Sequence, residues 1–147
     1  MSHPPFSDMF QALVDNTPYM KAIGAYYVGR SDDGVTLCLP YRDDLIGDPE
    51  TRVIASGVVT AVLDNTSGMA VWDQLNEFKP IATLDLRIDY MRPAMPHSPL
   101  MVTAKCYKLT RSVGFVRAFA YEDSPDDPVA AAQSAFIISS PTLKAKV

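Results

Sequence analysis

Ile54-Ala-Ser-Gly-Val-Val-Thr-Ala-Val-Leu-Asp-Asn-Thr-Ser-Gly-Met-Ala-Val-Trp72 is an apolar run of helical length with a single acid in its middle. At about 100° per residue, Val58, Val59, Val62, Leu63, Met69, Ala70 and Trp72 spread over most of the circumference, which predicts a helix enclosed on most sides. The stripe that remains is narrow and made of small or polar residues. Gly57, Thr60, Ala61, Asp64, Ser67 and Gly68 recur at spacings of three and four, so another backbone or a ligand can come close there. Ser56 is a natural N-cap, which leaves free N–H groups around Gly57 facing whatever lies ahead of the helix.

Asp64 has two readings. An ionised carboxylate shut away from water costs several kcal/mol unless it is paired or hydrogen-bonded. Thr60, Asn65 or Ser67 can supply those bonds, making Asp64 a satisfied structural acid. Alternatively, a desolvated carboxylate tends toward a raised pKa and is poised as a base or nucleophile.

Composition bounds the function. The 147 residues suit one domain, expected to span 1–147 with residues 1–20 as an N-terminal helical extension. With 48% hydrophobic and 20% charged residues the chain has a globular composition. A net charge of −4 argues against nucleic acid as a partner, since that affinity comes from neutralising phosphates. Only Cys38 and Cys106 are present, and no run reaches about 18 apolar residues. A reducing cytoplasm with no membrane partner is the expected setting.

Ahead of the long run, Ser7–Asn16 reads as a short helix capped by Ser7 and ended near Pro18. Residues 25–31 and 35–40 flank Asp32-Asp33-Gly34, a turn signal that predicts a hairpin. The loop 41–53, with Asp48 and Pro49, feeds the helix N-terminus. After the helix the period changes to two: Leu84, Leu86, Ile88 and Tyr90 alternate with Thr83, Asp85, Arg87 and Asp89, a strand with one apolar and one polar face. Residues 100–109, 113–121 and 129–139 read as three more strands. The order predicts an α+β domain with an antiparallel sheet curled around one long helix.

Ser56 to Ala70, followed by Ala82-Thr83-Leu84-Asp85-Leu86-Arg87-Ile88-Asp89-Tyr90-Met91-Arg92-Pro93-Ala94, resembles the hotdog-fold thioesterases, in particular the phenylacetic-acid-pathway (PaaI-like) acyl-CoA thioesterases. The resemblance runs from about Gly24 to Ser139. It implies a hotdog fold, an acyl-CoA substrate and hydrolysis at a dimer interface, and no cofactor is expected. It further implies that the backbone N–H of Gly57 polarises the thioester carbonyl, that Asp64 attacks the carbonyl or activates water, and that Thr83 assists by orienting that water. On spacing alone Thr83 is an ordinary strand residue. Seven residues separate Gly57 from Asp64, about 10 Å along a helix, a long reach for one carbonyl within one chain. Two antiparallel helices meeting along the small-residue stripe, as the resemblance to hotdog dimers implies, bring Gly57 of one chain toward Asp64 of the other. A homodimer, or a homotetramer of paired dimers, is expected.

Two positions depart from the family pattern. Ala55-Ser56-Gly57 stands where the family commonly has His-Gly-Gly, and Pro49 where it has an Asn that holds water or the carbonyl. Asp48 is adjacent. These departures motivate an alternative: a hotdog protein that binds an acyl-CoA or other small ligand without cleaving it. Ser56, Asp48, Arg92 and Arg111 are the substrate-binding candidates, the two arginines for CoA phosphates. Lys108 and Arg117 are weaker candidates of the same kind, and each of the four cations taken singly reads more readily as a solvated surface charge. His3 and His97 are too few and too remote from the helix for a His-based triad or a metal cluster. The two cysteines read as core residues.

Overall fold

In the computed structural model, which describes residues 6–139, a 3-10 turn (Phe6–Met9) leads into two short helices, α1 (Phe10–Asp15) and α2 (Pro18–Ile23). The expected helix from Ser7 to Asn16 is therefore a 3-10 turn followed by α1, and α2 is a further helix beyond it. Ser7 is buried and Met9 holds the N-cap position of α1 with no side-chain cap bond. Pro18 starts a second helix as well as closing the first, because its fixed φ and missing N–H suit the first helical position. His3 and residues 1–5 of the expected extension lie outside the described residues. Phe10 meets Phe6 and Tyr27 edge to face, at 5.7 and 5.5 Å, which seats α1 on the first strand.

β1 (Tyr26–Ser31) and β2 (Gly34–Leu39) form the expected antiparallel hairpin. Gly34 adopts φ +112°, and a Cβ there would lie 2.0 Å from the Ala104 carbonyl oxygen, so both the conformation and the close approach demand glycine. The remaining elements are the long helix α3 (Ser56–Leu75) and β3 (Ile81–Tyr90), β4 (Leu100–Leu109), β5 (Val113–Tyr121) and β6 (Ala130–Ile138). All six strands join one antiparallel sheet in the order β1-β2-β4-β5-β6-β3, leaving β3 at an edge and paired on one side only.

The inner face of the sheet carries Val35, Leu37, Leu39, Val102, Val116 and Phe136 between a set of buried alanines, Ala104, Ala118, Ala120, Ala130 and Ala132. The small residues let α3 lie close against the strands, and ten of its twenty residues are buried. Each Val or Leu so enclosed is worth roughly 1.5–3 kcal/mol. Enclosure is uneven along the helix. Every residue from Thr66 to Val71 is buried, whereas burial alternates between Ser56 and Asn65.

The small-residue stripe accordingly splits in two. Ser67 and Gly68 are covered by the chain's own sheet, where a Cβ on Gly68 would touch Ile81 and Phe136 at 3.4 and 3.5 Å. Ser56 and Gly57 are exposed, and Thr60, Ala61 and Asp64 are half-buried. Among the described residues no helix is long and apolar enough to cross a membrane.

Candidate active site

The N-terminus of α3 is built differently from the expected cap. Ala55 occupies the N-cap position and Ser56 is the first helical residue, so no side chain bonds the leading N–H groups. Val58 and Val59 donate to the Ala55 carbonyl, while among the described residues no acceptor meets the N–H of Gly57. Nothing lies within 4 Å of where a Gly57 Cβ would be. That N–H is therefore left without an acceptor at the positive end of the helix, on a residue whose Cβ side is open. The Ser56 carbonyl accepts from Thr60 Oγ1 at 2.9 Å and from the Tyr90 hydroxyl at 2.9 Å, and Tyr90 also bonds the Thr60 hydroxyl. The end of β3 thus pins the first turn of the helix.

One turn further on, Asp64 is half-buried, not the enclosed carboxylate suggested by its neighbours in sequence. Thr83 Oγ1 donates to its Oδ1 at 2.8 Å, and none of Thr60, Asn65 and Ser67 does so. Among the described residues its Oδ2 has no hydrogen-bond donor. Strict alternation places Thr83 on the polar side of β3, away from the helix. A β-bulge between Thr83 and Asp85 reverses this. Thr83 stands opposite the buried Phe136, and after the extra residue Leu86, Ile88 and Tyr90 stand opposite the inward Ser134, Ala132 and Ala130. The bulge turns Thr83 onto the helix face and leaves Leu84 57% exposed.

Asp48 holds its own loop. Its carboxylate accepts from the Glu50 N–H at 3.0 Å and the Thr51 hydroxyl at 2.9 Å, which lowers its pKa below the ordinary value and keeps it ionised. Arg92 is engaged inside the chain. It donates to Glu122 at 2.6 Å, to the Asp127 carboxylate at 3.3 Å and to the carbonyls of Asp127 and Pro93 at 2.8 and 3.2 Å. Little of its donor capacity is left for a phosphate. Burial opposes ionisation of Glu122, whose side chain is 5% exposed, but Arg92 and the Met95 N–H outweigh it and hold its pKa below the ordinary value. Glu122 is a residue that sequence reading did not single out.

Arg111 is exposed in the β4–β5 turn, at the opposite end of the sheet from Tyr90 and Arg92. Arg92 and Arg111 therefore do not converge within one chain. Arg117 lies 4.3 Å over the Tyr107 ring, beside a groove with Arg87, Asp89 and Gln133 on the outer face of the sheet. Lys108 stands opposite Phe115 on the same outer face. His97 rests against Tyr41, with ring centroids 4.7 Å apart. Cys38 and Cys106 are free and buried, and burial pushes the Cys106 thiol up. Among the described residues no three His, Cys, Asp or Glu side chains gather as a metal site.

Ahead of the helix lies an open, largely apolar cavity of about 520 Å³. Val53, Ile54, Val59, Met91, Pro93 and Ala94 line it, with Ser56 and Tyr90 at its polar side. The site thus has a free backbone donor at one end, a hydrogen-bonded carboxylate about 10 Å along the axis and an apolar chamber beside the donor.

Comparison with known proteins agrees with this fold. A solved protein of Pseudomonas aeruginosa is 37% identical and superposes with a TM-score of 0.81 over 90% of this chain and 98% of its own. A variant of the phenylacetic acid degradation protein PaaI from Thermus thermophilus, 20% identical, shares the fold with a TM-score of 0.70 over 82% of this chain and 97% of its own. A Halobacterium salinarum protein carrying a provisional esterase name is 28% identical over 111 residues, 72% of this chain and 71% of that one. The family model for the thioesterase superfamily matches residues 53–129, from the loop ahead of α3 to the residue before β6. With more than half of its length matched by that model and its sheet wrapped around one helix in the hotdog manner, the chain belongs to the thioesterase superfamily.

Proposed function

We propose that this protein hydrolyses acyl-CoA thioesters at a site shared between two copies of the chain. Thioester hydrolysis is the activity class to which its family points. The observation that carries the finer reading is the bond from Thr83 to Asp64 on the open half of the helix stripe. It fixes one carboxylate oxygen and leaves the other free to face a substrate.

Asp64 acts as general base or as nucleophile. As base, its free oxygen takes a proton from water while that water attacks the thioester carbonyl. As nucleophile, it forms an anhydride with the acyl group that water then cleaves. In either case the C–S bond breaks, CoA leaves as thiolate and is protonated, and the free acid remains. The Gly57 N–H of the second copy receives the developing oxyanion, aided by the helix end. The acyl group enters the apolar cavity beside that donor, where Ser56 lines the polar side. Antiparallel pairing also brings the Arg111 end of one copy toward the Gly57 end of the other, which makes Arg111 the better of the two arginines for the CoA phosphates. Asp48 serves the site by stapling the loop in front of the helix, with its carboxylate already satisfied by Glu50 and Thr51.

The test is CoA release from a panel of acyl-CoAs, followed with a thiol reagent, in the wild type and in Asp64→Asn. Release by the wild type and a loss of roughly 10²–10⁴ in kcat in the variant, with an unchanged melting temperature, is expected. Saturable binding without release would favour a ligand-binding protein instead, the reading that Ala55 and Pro49 motivate.

A further inference from the structure

The segment that walls the cavity is gripped from behind by a single carboxylate. Glu122 accepts from Arg92 Nη2 through Oε2 at 2.6 Å and from the Met95 backbone N–H through Oε1 at 2.7 Å. Between these two attachment points lie Pro93 and Ala94, both of which face the cavity. Arg92 extends the grip to the Pro93 carbonyl and to Asp127, and the Met91 N–H is tied to the Val129 carbonyl at 2.8 Å. A carboxylate with both oxygens committed at the two ends of a two-residue span fixes that span far more tightly than either bond alone. It also neutralises Arg92, among the described residues the only charged side chain that lines the chamber.

We propose that Glu122 and Arg92 are positioning residues for the acyl group: they hold Pro93 and Ala94 as the cavity wall and select an uncharged, apolar acyl chain. Arg92 then contributes nothing direct to the CoA phosphates. This rests on the acyl-CoA reading for the identity of the ligand but not on its cleavage.

The experiment measures binding of CoA and of S-octyl-CoA, a thioether that cannot be hydrolysed, by calorimetry. The wild type is expected to bind S-octyl-CoA about tenfold or more tightly than CoA. Glu122→Gln keeps the shape and removes the charge, so most of that preference should disappear while the affinity for CoA changes less than about twofold. Arg92→Lys keeps the charge but loses the planar fork; it should give a smaller loss of the same kind, and it carries the comparison if Glu122→Gln does not fold. Parallel losses for both ligands would return Arg92 to the phosphates, and an unchanged preference would remove the wall from acyl selection; either overturns the proposal, as does a wild type with no preference for the octyl chain. A clear octyl preference in a protein that releases no CoA would overturn the hydrolytic reading and leave this one standing.

Discussion

The hydrogen bond from Thr83 to Asp64 has a separable role, because a hydroxyl can be removed without changing shape. Thr83→Val should lower kcat by about tenfold, less than Asp64→Asn, since it removes an orienting bond and leaves the carboxylate. Thr83→Ser should recover most of the rate. In the double variant the losses should be far from multiplicative, because the two side chains act as one unit. Asp64 was legible from sequence because an acid on a small-residue stripe is conspicuous whatever surrounds it. Its exposure was not legible, nor was the side of the strand to which Thr83 belongs, because one inserted residue reverses the parity of an alternating strand. The partners of Arg92 were not legible for a different reason: Glu122 and Asp127 lie 30 and 35 residues downstream, and a basic residue at a turn gives no sign of partners that distant. Glu122 also makes stability depend on pH. Its folded pKa is lower than its ordinary 4.5, so its contribution is complete above that value and is lost as pH falls below 4.5 and through the folded value. Wild type and Glu122→Gln should therefore converge in melting temperature as pH is lowered through this range, and differ most near neutrality.

At the level of elements, the hairpin and the four later strands follow from turn residues and alternation, and their boundaries lie within one or two residues of those expected. A second short helix, α2, follows the first because Pro18 serves as a start signal as well as a stop. The small-residue stripe of α3 is where spacing misleads most. Six residues at helical spacing share a stripe, but a curled sheet covers only part of it, and which part depends on the tertiary arrangement of β3 and β6. A bulky residue at Gly68 therefore meets its own chain first, at Ile81 and Phe136, and reports on folding before assembly. Gly34 permits a sharper test of the hairpin. Gly34→Ala introduces a Cβ 2.0 Å from a backbone oxygen at a φ that L-residues rarely adopt. The hairpin must shift, at a cost of about 3 kcal/mol. Chemical denaturation should show this loss, whereas Gly57→Ala, with open space around it, should be nearly neutral for folding.

At the level of the whole molecule, the uncovered surfaces lie together. The free edge of β3 runs beside the open half of α3, and Leu84, Tyr90 and Met91 stay 57%, 47% and 58% exposed there. An unpaired ten-residue edge next to exposed apolar side chains is a surface that a second copy would bury. Sharing of the site between copies can be tested apart from assembly by complementation. Gly57→Pro removes the backbone donor; proline is tolerated in the first helical turn, and the Gly57 N–H has no acceptor among the described residues to lose. Asp64→Asn removes the base, and each variant alone should be close to inactive. In a mixed dimer one site would combine the intact Gly57 of one chain with the intact Asp64 of the other, while the second site would carry both changes. If subunits exchange freely at equal amounts, half of the dimers are mixed and each has one working site, so activity should return to roughly a quarter of wild type. Sedimentation of the mixture establishes that dimers are present. A mixture that stays inactive although dimers have exchanged would place the donor and the acid of each site in the same chain, and with them the whole reaction.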